Sequence, residues 1–307
     1  MRRVRYEHSG GPDVLELVSV ETPTPGPGEL LIRVEAIGVT LPVVRAVREQ
    51  REPIALGGEV AGEVIAVGEG VDGYTPGYRV TGLVSGHSYA DYAVLPAAEA
   101  SPIPDGASAL DAVALVRSGL VALGALDTAA AQEGEAALIT AAASGVGHLA
   151  VQLARVRGAA RVVGAVSDLA KAEFVQKLGA DEVIEYQEQS LGVPADYVLD
   201  AVGGDVLTAA LSALAPGGRL VAYGSGGGII QASDLLTDAK SVLGFQLDRA
   251  AREQPDQYEH WRQELWQYFA SGQLRPAVHA EFALEDAAAA HAVIEARANL
   301  GKVVLIP

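Results

Sequence analysis

The sequence predicts an α/β protein in which a doubly wound parallel sheet is joined to a β-rich domain, and three observations carry that expectation. From about Ser108 onward, Ala-rich stretches of helical length alternate with short β-branched runs, the pattern of βαβ units. Before that point the chain is rich in Val, Gly and Pro, with short apolar runs separated by turn residues. The 307 residues also exceed the size at which one hydrophobic core keeps growing, so two domains are expected.

Taken in order, strands are expected at Glu29–Val39, Glu59–Val67, Arg79–Leu83 and Tyr89–Leu95. Pro23, Pro25 and Pro27 with Gly26 and Gly28 form a rigid turn region that a helix cannot cross. The apolar region from Leu110 to Ala131 carries Asp111, Arg117 and Asp127 and reads as a buried helix rather than a membrane span. Then follow strand Ala136–Ala142, helix Gly145–Arg157, strand Arg161–Val166 and helix Leu169–Leu178. Further strands are expected at Glu182–Tyr186, Tyr197–Val202, Arg219–Tyr223 and Val242–Gln246, with helices around Val206–Leu214 and Gln257–Ala270. Trp261, Trp266, Tyr258 and Phe269 recur at helical spacing and read as core or interface. Phe282–Ala298 reads as a last Ala-rich helix, and Lys302–Ile306 as a closing strand that returns to the first domain.

Composition narrows the chemistry. Lys+Arg 22 against Asp+Glu 39 leaves a net charge of −17, a field that repels phosphate backbones and anionic lipid, so no nucleic-acid or membrane partner is expected. Cys 0 removes disulfides, thiolate nucleophiles and cysteine-held metals. The N-terminus, MRRVRYEHSGGPD, lacks an apolar stretch behind its basic residues, and a cytoplasmic location is expected. The six histidines show no metal-binding spacing, and no metal is expected.

The most informative segment is ALITAAASGVGHLAVQLA, residues 137–154. A strand ends in a turn of small residues, Ala142, Ala143, Ser144, Gly145, Val146 and Gly147, and a helix opens directly after it. Small residues let the backbone approach a pyrophosphate, whose charge is met by the N–H groups and positive end of the helix. Relative to G-x-G-x-x-G, Ala142 and Ser144 replace the first two glycines, while the strand–turn–helix context remains that of a Rossmann dinucleotide site. About 20 residues on, where such a fold selects its cofactor, stand Ser167, Asp168 and Lys171. Ser167 and Lys171 suit a 2′-phosphate and favour NADPH, whereas Asp168 suits the ribose hydroxyls of NAD. Alternatively, Ser167 or Asp168 caps the helix from Leu169 and Lys171 lies on a solvated face, which is compatible with either cofactor.

With these motifs in place, the chain resembles the medium-chain dehydrogenase/reductase superfamily, and within it the zinc-free quinone oxidoreductases, the zeta-crystallin-like group. The resemblance spans nearly the whole chain: GPDVLEL at 11–17, GEVAGEVIAVGEGV at 58–71, AASGVGHLAVQLA at 142–154, KLGADEVIEY at 177–186, DAVGG at 200–204, APGGRLVAYG at 215–224 and GKVVL at 301–305. It implies a GroES-like catalytic domain from residues 1–115 and 255–307, an inserted Rossmann domain over 116–254, and a cleft between them for nicotinamide and a small-molecule substrate. It places Ser167, Lys171 and Tyr186 around the 2′-phosphate and the backbone of Gly224 and Ser225 along the cofactor. Phe245, on the edge strand Val242–Gln246, is counted with these contacts, and pairing along that edge implies a homodimer. Where zinc-dependent relatives hold their metal, this chain has Gly57, Gly58 and Glu59. Where zinc-free members carry Asn and a following Tyr, it has Thr40 and no Tyr, and the usual acidic residue of a later turn is Tyr78.

The reaction expected is therefore NADPH-dependent hydride delivery to a quinone or an activated C=C bond, with Thr40, Arg117 and Tyr78 as candidate catalytic residues. Thr40 can donate to a substrate carbonyl or simply end a strand. Arg117, alone in an apolar window, must meet an anion or escape to water. Tyr78, His87 and Tyr89 can supply a proton or pack loops. Gly226, Gly227 and Gly228 follow as a cofactor contact or a flexible loop. Two alternatives stand beside this reading: a nucleotide-binding sensor or structural protein without turnover, and a zinc-free alcohol or carbonyl dehydrogenase.

Overall fold

The computed structural model describes residues 1–186, 191–192, 194–224 and 226–307. It divides into two compact units, one from Met1–Arg117 with Pro276–Pro307 and one from Ser118–Arg275. The N-terminal part supplies β1 (Arg2–Arg5), β2 (Glu16–Ser19), β3 (Glu29–Val39), α1 (Leu41–Glu49), β4 (Glu59–Val67), β5 (Arg79–Leu83), β6 (Tyr92–Pro96) and β7 (Ser101–Pro102). Helix α2 (Ala109–Thr128) carries the unit boundary after Arg117. There follow β8 (Ala136–Ile139), α3 (Gly147–Val156), β9 (Arg161–Val166), α4 (Ala172–Lys177), β10 (Glu182–Glu185), β11 (Ala195–Asp200), α5 (Gly204–Ser212), β12 (Leu214–Ala222), α6 (Ala232–Leu236), β13 (Ser241–Gly244), α7 (Leu247–Glu253) and α8 (Pro255–Ser271). The chain then returns as β14 (Val278–Ala283), α9 (Ala287–Glu295) and β15 (Lys302–Ile306).

In the unit built from both chain ends the sheet runs β14-β15-β3-β4-β5-β7, with β6 paired to β3. Its pairs are antiparallel except β14 with β15, which run parallel. This is the GroES-like unit. Leu30, Ile32, Ile37, Val60, Val80, Leu95, Val303 and Leu305 form its core. Each fully buried aliphatic side chain of this kind contributes about 1.5–3 kcal/mol. Helix α1, which the sequence reading passed over, starts at the extended residue Thr40 with Pro42 in its first turn and buries Val43, Val44, Ala46 and Val47.

The other unit is a Rossmann sheet in the order β10-β9-β8-β11-β12-β13, every pair parallel. Leu138, Val163, Val198 and Leu220 on its strands pack with Leu207 and Leu211 of α5. Helix α2 is mostly apolar, interrupted by Asp111, Arg117 and Asp127, and 78% of its apolar window is buried within the protein.

Two sequence expectations are corrected here. The second domain boundary falls at Pro276 rather than 255. Helix α8 belongs to the Rossmann unit because Leu265 fills the space over Gly119 and Trp261 packs edge-on against Phe245, ring centroids 6.0 Å apart. The stretch from Phe282 is not helical at its start: Val278–Ala283 is β14, and the helix spans Ala287–Glu295. Parallel pairing with β15 takes Phe282 and Ala283 into the sheet.

Candidate active site

The strand order of the Rossmann unit reverses between β8 and β11, which opens a crevice at the carboxyl ends of those strands. Thr140, just after β8, donates from Oγ1 to Asp200 Oδ1 at 2.7 Å and accepts from the Ala201 N–H at 2.9 Å. Asp200, 2% exposed, also accepts from the N–H groups of Val202 at 3.1 Å and Gly203 at 3.0 Å. The two strand ends are thereby clamped at the reversal point. Sequence reasoning passed over both residues, although Asp200 opens the DAVGG stretch.

The small-residue turn leaves β8 through Ala141, whose φ is +49° and whose N–H donates to the Tyr186 hydroxyl. Ser144 caps α3: its Oγ accepts the Gly147 N–H at 3.0 Å and its carbonyl accepts the His148 N–H at 3.0 Å. A Cβ on Gly147 would collide with the Ala141 carbonyl, so glycine there sets how closely helix and strand approach. Ala142 is fully buried with its methyl beside Gly164, which makes it a packing residue. Ser144, Gly145 and Val146 remain partly exposed at the crevice.

At the end of β9, Lys171 Nζ donates to Ser167 Oγ at 3.0 Å. The Tyr186 N–H donates to the Val166 carbonyl at 3.0 Å, which brings Tyr186 beside Ser167. Asp168 is exposed, and its Oδ1 accepts the Ala170 N–H at 2.8 Å, capping the short 3₁₀ turn Leu169–Lys171. A cation and a hydroxyl thus meet at the strand end beside the Tyr186 backbone, while the Asp168 carboxylate serves the Ala170 N–H and the Tyr186 hydroxyl serves the Ala141 N–H. That donor set suits a phosphate dianion. The Tyr223 hydroxyl, at the end of β12, is buried without a hydrogen-bond partner among the described residues, and burial, then Asp200 and Tyr186, push its pKa up. It is a polar group that a bound nucleotide can complete.

Gly224 is exposed, and a Cβ there would collide with Ala201, so the backbones of the two loops approach closely. Ser225 lies outside the described residues. The ring of Phe245 is packed between Trp261 and the Cα of Gly124, so it serves the core of this unit rather than the crevice.

In the GroES-like unit the register gathers a second set of groups. Val303 and Val304 lie opposite Val39 and Gly38, Ile37 lies opposite Val60, and Glu59 lies opposite Leu83. The end of β3 at Thr40, the start of β15 at Lys302 and the start of β4 at Glu59 therefore share one end of the sheet. Lys302 and Glu59, 3% and 2% exposed, form an ion pair that spans β3 above Gly38, where any Cβ would collide with the Glu59 carboxylate. Burial lowers the Lys302 pKa, Glu59 counters that shift, and the nearby Arg117 lowers it further. Glu59 Oε2 is buried and without a hydrogen-bond partner among the described residues. Thr40 is 8% exposed, and its side chain makes no cap to α1.

Thr40 thus falls with Glu59 and Lys302, whereas Tyr78 does not; Arg117 is half-buried on α2 between Val116 and Ser118. Tyr78 precedes Arg79, which pairs with Glu63 at the other end of β4 and β5, roughly 13 Å along the strands. It is 47% exposed and stacks edge-on against Tyr74 at 6.2 Å, so the candidate role of Tyr78 is withdrawn. His87 is exposed at a φ of +58°. Tyr89 is buried, its hydroxyl 3.1 Å from Nε2 of His291. Among the described residues no group of three or more His, Asp or Glu side chains could hold a metal ion. Glu59 and Lys302 were missed because each looked like part of a strand motif; the signal was a charged residue leading an apolar run, residues 60–62 after Glu59 and 303–306 after Lys302.

Two family descriptions match: "Alcohol dehydrogenase GroES-like domain" over residues 26–105 and "Zinc-binding dehydrogenase" over residues 178–305. The chain is 32% identical to a quinone oxidoreductase of Pseudomonas aeruginosa, over 100% of this chain and 99% of that one. It is also 32% identical to a 2-haloacrylate reductase of a Burkholderia species, over 97% and 96%. A mycobacterial protein solved as a complex with NADPH superposes with a TM-score of 0.93 at 32% identity, covering 100% of both chains. The chain belongs to the medium-chain dehydrogenase/reductase superfamily, in its zinc-free quinone oxidoreductase group.

Proposed function

We propose that this protein is an NADPH-dependent oxidoreductase that reduces a quinone or an activated C=C bond. The single observation that carries the cofactor is the meeting of Ser167 and Lys171 at 3.0 Å while Asp168 is spent as a cap. An NAD site at this strand end wants a carboxylate free for the ribose hydroxyls, and here a cation and a hydroxyl stand there instead. Tyr186 completes the set for the 2′-phosphate. The N–H groups around Ser144, Gly145 and Val146, with the positive end of α3, are suited to the pyrophosphate. NADPH, when bound, supplies the hydride.

The chain's own part is to bind and orient substrate and to stabilise the oxygen on which negative charge develops. Thr40 can donate one hydrogen bond to that oxygen, and Arg117 with Lys302 raises the local positive potential. A quinone or enone spreads charge onto a carbonyl oxygen, which needs a donor and no metal. The named activities of the Pseudomonas and Burkholderia relatives support this substrate range. A cytoplasmic homodimer, paired along β13 at the outer edge of the Rossmann sheet, is the assembly that accompanies this reading.

The test is a panel of quinones, enones and enoyl thioesters assayed with NADPH and NADH, together with Lys171→Ala. The variant should lose about 1–3 kcal/mol of NADPH affinity, the size of a charge-assisted hydrogen bond, with NADH nearly unaffected. Equal losses for both cofactors, or no acceptor in the panel that oxidises NADPH, would sink the proposal.

A further inference from the structure

We infer that Tyr223 is a cofactor-binding residue whose hydroxyl hydrogen-bonds the nicotinamide half of the dinucleotide, on the β11–β12 side of the crevice. This rests on the preceding proposal that NADPH occupies that crevice.

The first observation is a polar group left over by the fold. The Tyr223 hydroxyl is the one buried side-chain oxygen of the Rossmann unit without a hydrogen-bond partner among the described residues. Elsewhere the hydroxyls of Tyr6, Tyr74, Tyr89, Tyr186 and Tyr268 each meet a backbone group or a side chain. Burying a phenol O–H with nothing to bond costs stability, and phenylalanine would fill the same space without that cost. A ligand that brings the missing acceptor removes the conflict.

The second observation is where the residue stands. Ala222 pairs with Asp200 across β12 and β11, so Tyr223 is the first residue beyond the carboxyl end of β12. Its N–H donates to the Asp200 carbonyl at 2.9 Å, beside the reversal of strand order where a doubly wound sheet takes its ligand. The neighbouring polar groups are already engaged with one another. Asp200 Oδ1 accepts from Thr140 Oγ1 and the Val202 N–H, and Asp200 Oδ2 accepts from the Gly203 N–H. The Tyr186 hydroxyl accepts from the Ala141 N–H. Beyond Tyr223 the chain brings no side chain at Gly224, Gly226, Gly227 or Gly228. A Cβ on Gly226 would collide with the Val202 carbonyl, so this loop lies backbone against backbone on the loop that follows β11.

Position and charge select the part of the ligand. A dinucleotide spans the two mononucleotide halves of such a sheet. Ser167 and Lys171 stand at the end of β9, in the half formed by β8, β9 and β10, whereas Tyr223 stands in the half formed by β11, β12 and β13. The 2′-phosphate end and Tyr223 therefore lie on opposite sides of the reversal, which leaves the nicotinamide nucleoside to Tyr223. Burial, and after it the Asp200 carboxylate, pushes the phenol pKa up, so the hydroxyl stays protonated and donates. The same carboxylate disfavours a phosphate beside it, and the acceptor is a neutral oxygen, that of a ribose hydroxyl or of the carboxamide.

The test compares NADPH with 2′,5′-ADP, which carries the 2′-phosphate and no nicotinamide, on the wild type and on Tyr223→Phe. Fluorescence titration should show the variant binding NADPH about threefold to tenfold more weakly, the size of one neutral hydrogen bond, while calorimetry shows 2′,5′-ADP unchanged within about twofold. Without ligand the variant should melt at or above the wild-type temperature, because the hydroxyl it loses had no partner, and the rise in melting temperature on adding NADPH should shrink. Unchanged NADPH affinity, equal weakening of NADPH and 2′,5′-ADP, or a ligand-free melting temperature more than about 2 °C below wild type overturns the inference. A wild-type protein that binds neither NADPH nor 2′,5′-ADP overturns the parent proposal instead.

Discussion

Replacing Lys302 by Met tests the buried ion pair that organises one end of the GroES-like sheet. Lys302 and Glu59 are 3% and 2% exposed, and Glu59 Oε2 already lacks a partner, so the substitution leaves a carboxylate with both oxygens stranded. Removing one member of such a pair costs about 3–5 kcal/mol. For a unit of roughly 150 residues, at about 2–4 °C per kcal/mol, the melting temperature should fall by roughly 6–20 °C. The double variant Lys302→Met with Glu59→Leu removes both desolvation penalties at once and should recover most of that loss, since a hydrophobic replacement of a buried pair is often neutral. Gly38→Ala should weaken the same pair without touching either charge, because the new methyl takes the space of the Glu59 carboxylate. Thermal melts followed by circular dichroism give all three values. If Lys302→Met melts within about 2 °C of wild type, a shift worth less than 1 kcal/mol, or if the double variant is no better than the single one, the pair does not hold this end of the sheet.

The buried imidazole of His291, beside the Tyr89 hydroxyl, has its pKa lowered to about 4 by desolvation, with Glu295 opposing the shift. The unfolded chain binds that proton near the ordinary value and the folded one does not, so stability should fall as pH drops from about 6.5 to about 4, by about 3 kcal/mol in all. His291→Gln should remove that part of the slope in urea titrations at several pH values, and an unchanged slope would point to other groups. Gly147→Ala drives a methyl into the Ala141 carbonyl and should weaken NADPH and NADH by similar factors, unlike Lys171→Ala. Fluorescence titration with both cofactors separates the two behaviours, and selective loss of one cofactor in Gly147→Ala would contradict the packing role.

The sequence by itself determined the class of fold and the place of the nucleotide crevice, because both rest on local signals. Alternation of Ala-rich helices with β-branched strands is a property of neighbouring residues, and so is the small-residue turn between β8 and α3. The group of residues at the end of β9 was legible for the same reason: Ser167, Asp168 and Lys171 lie within one turn of each other. The use of the Asp168 side chain was not, since that depends on its direction, and only the folded chain shows it accepting the Ala170 N–H.

Tertiary structure alone decided what depends on register. Tyr78 and Thr40 were both candidates along the chain, and the pairing of β4 with β5 put them at opposite ends of the sheet. Glu59 and Lys302 stand 243 positions apart, and no local pattern joins them. They meet because β15 and β4 flank β3 on either side and because Gly38 leaves the space between them open. Helix α8 was placed with the wrong unit for a similar reason, as its partners Gly119 and Phe245 are distant in sequence. Periodicity reports which face of an element is apolar, but the choice of the apolar surface that covers it is made only when the whole chain folds.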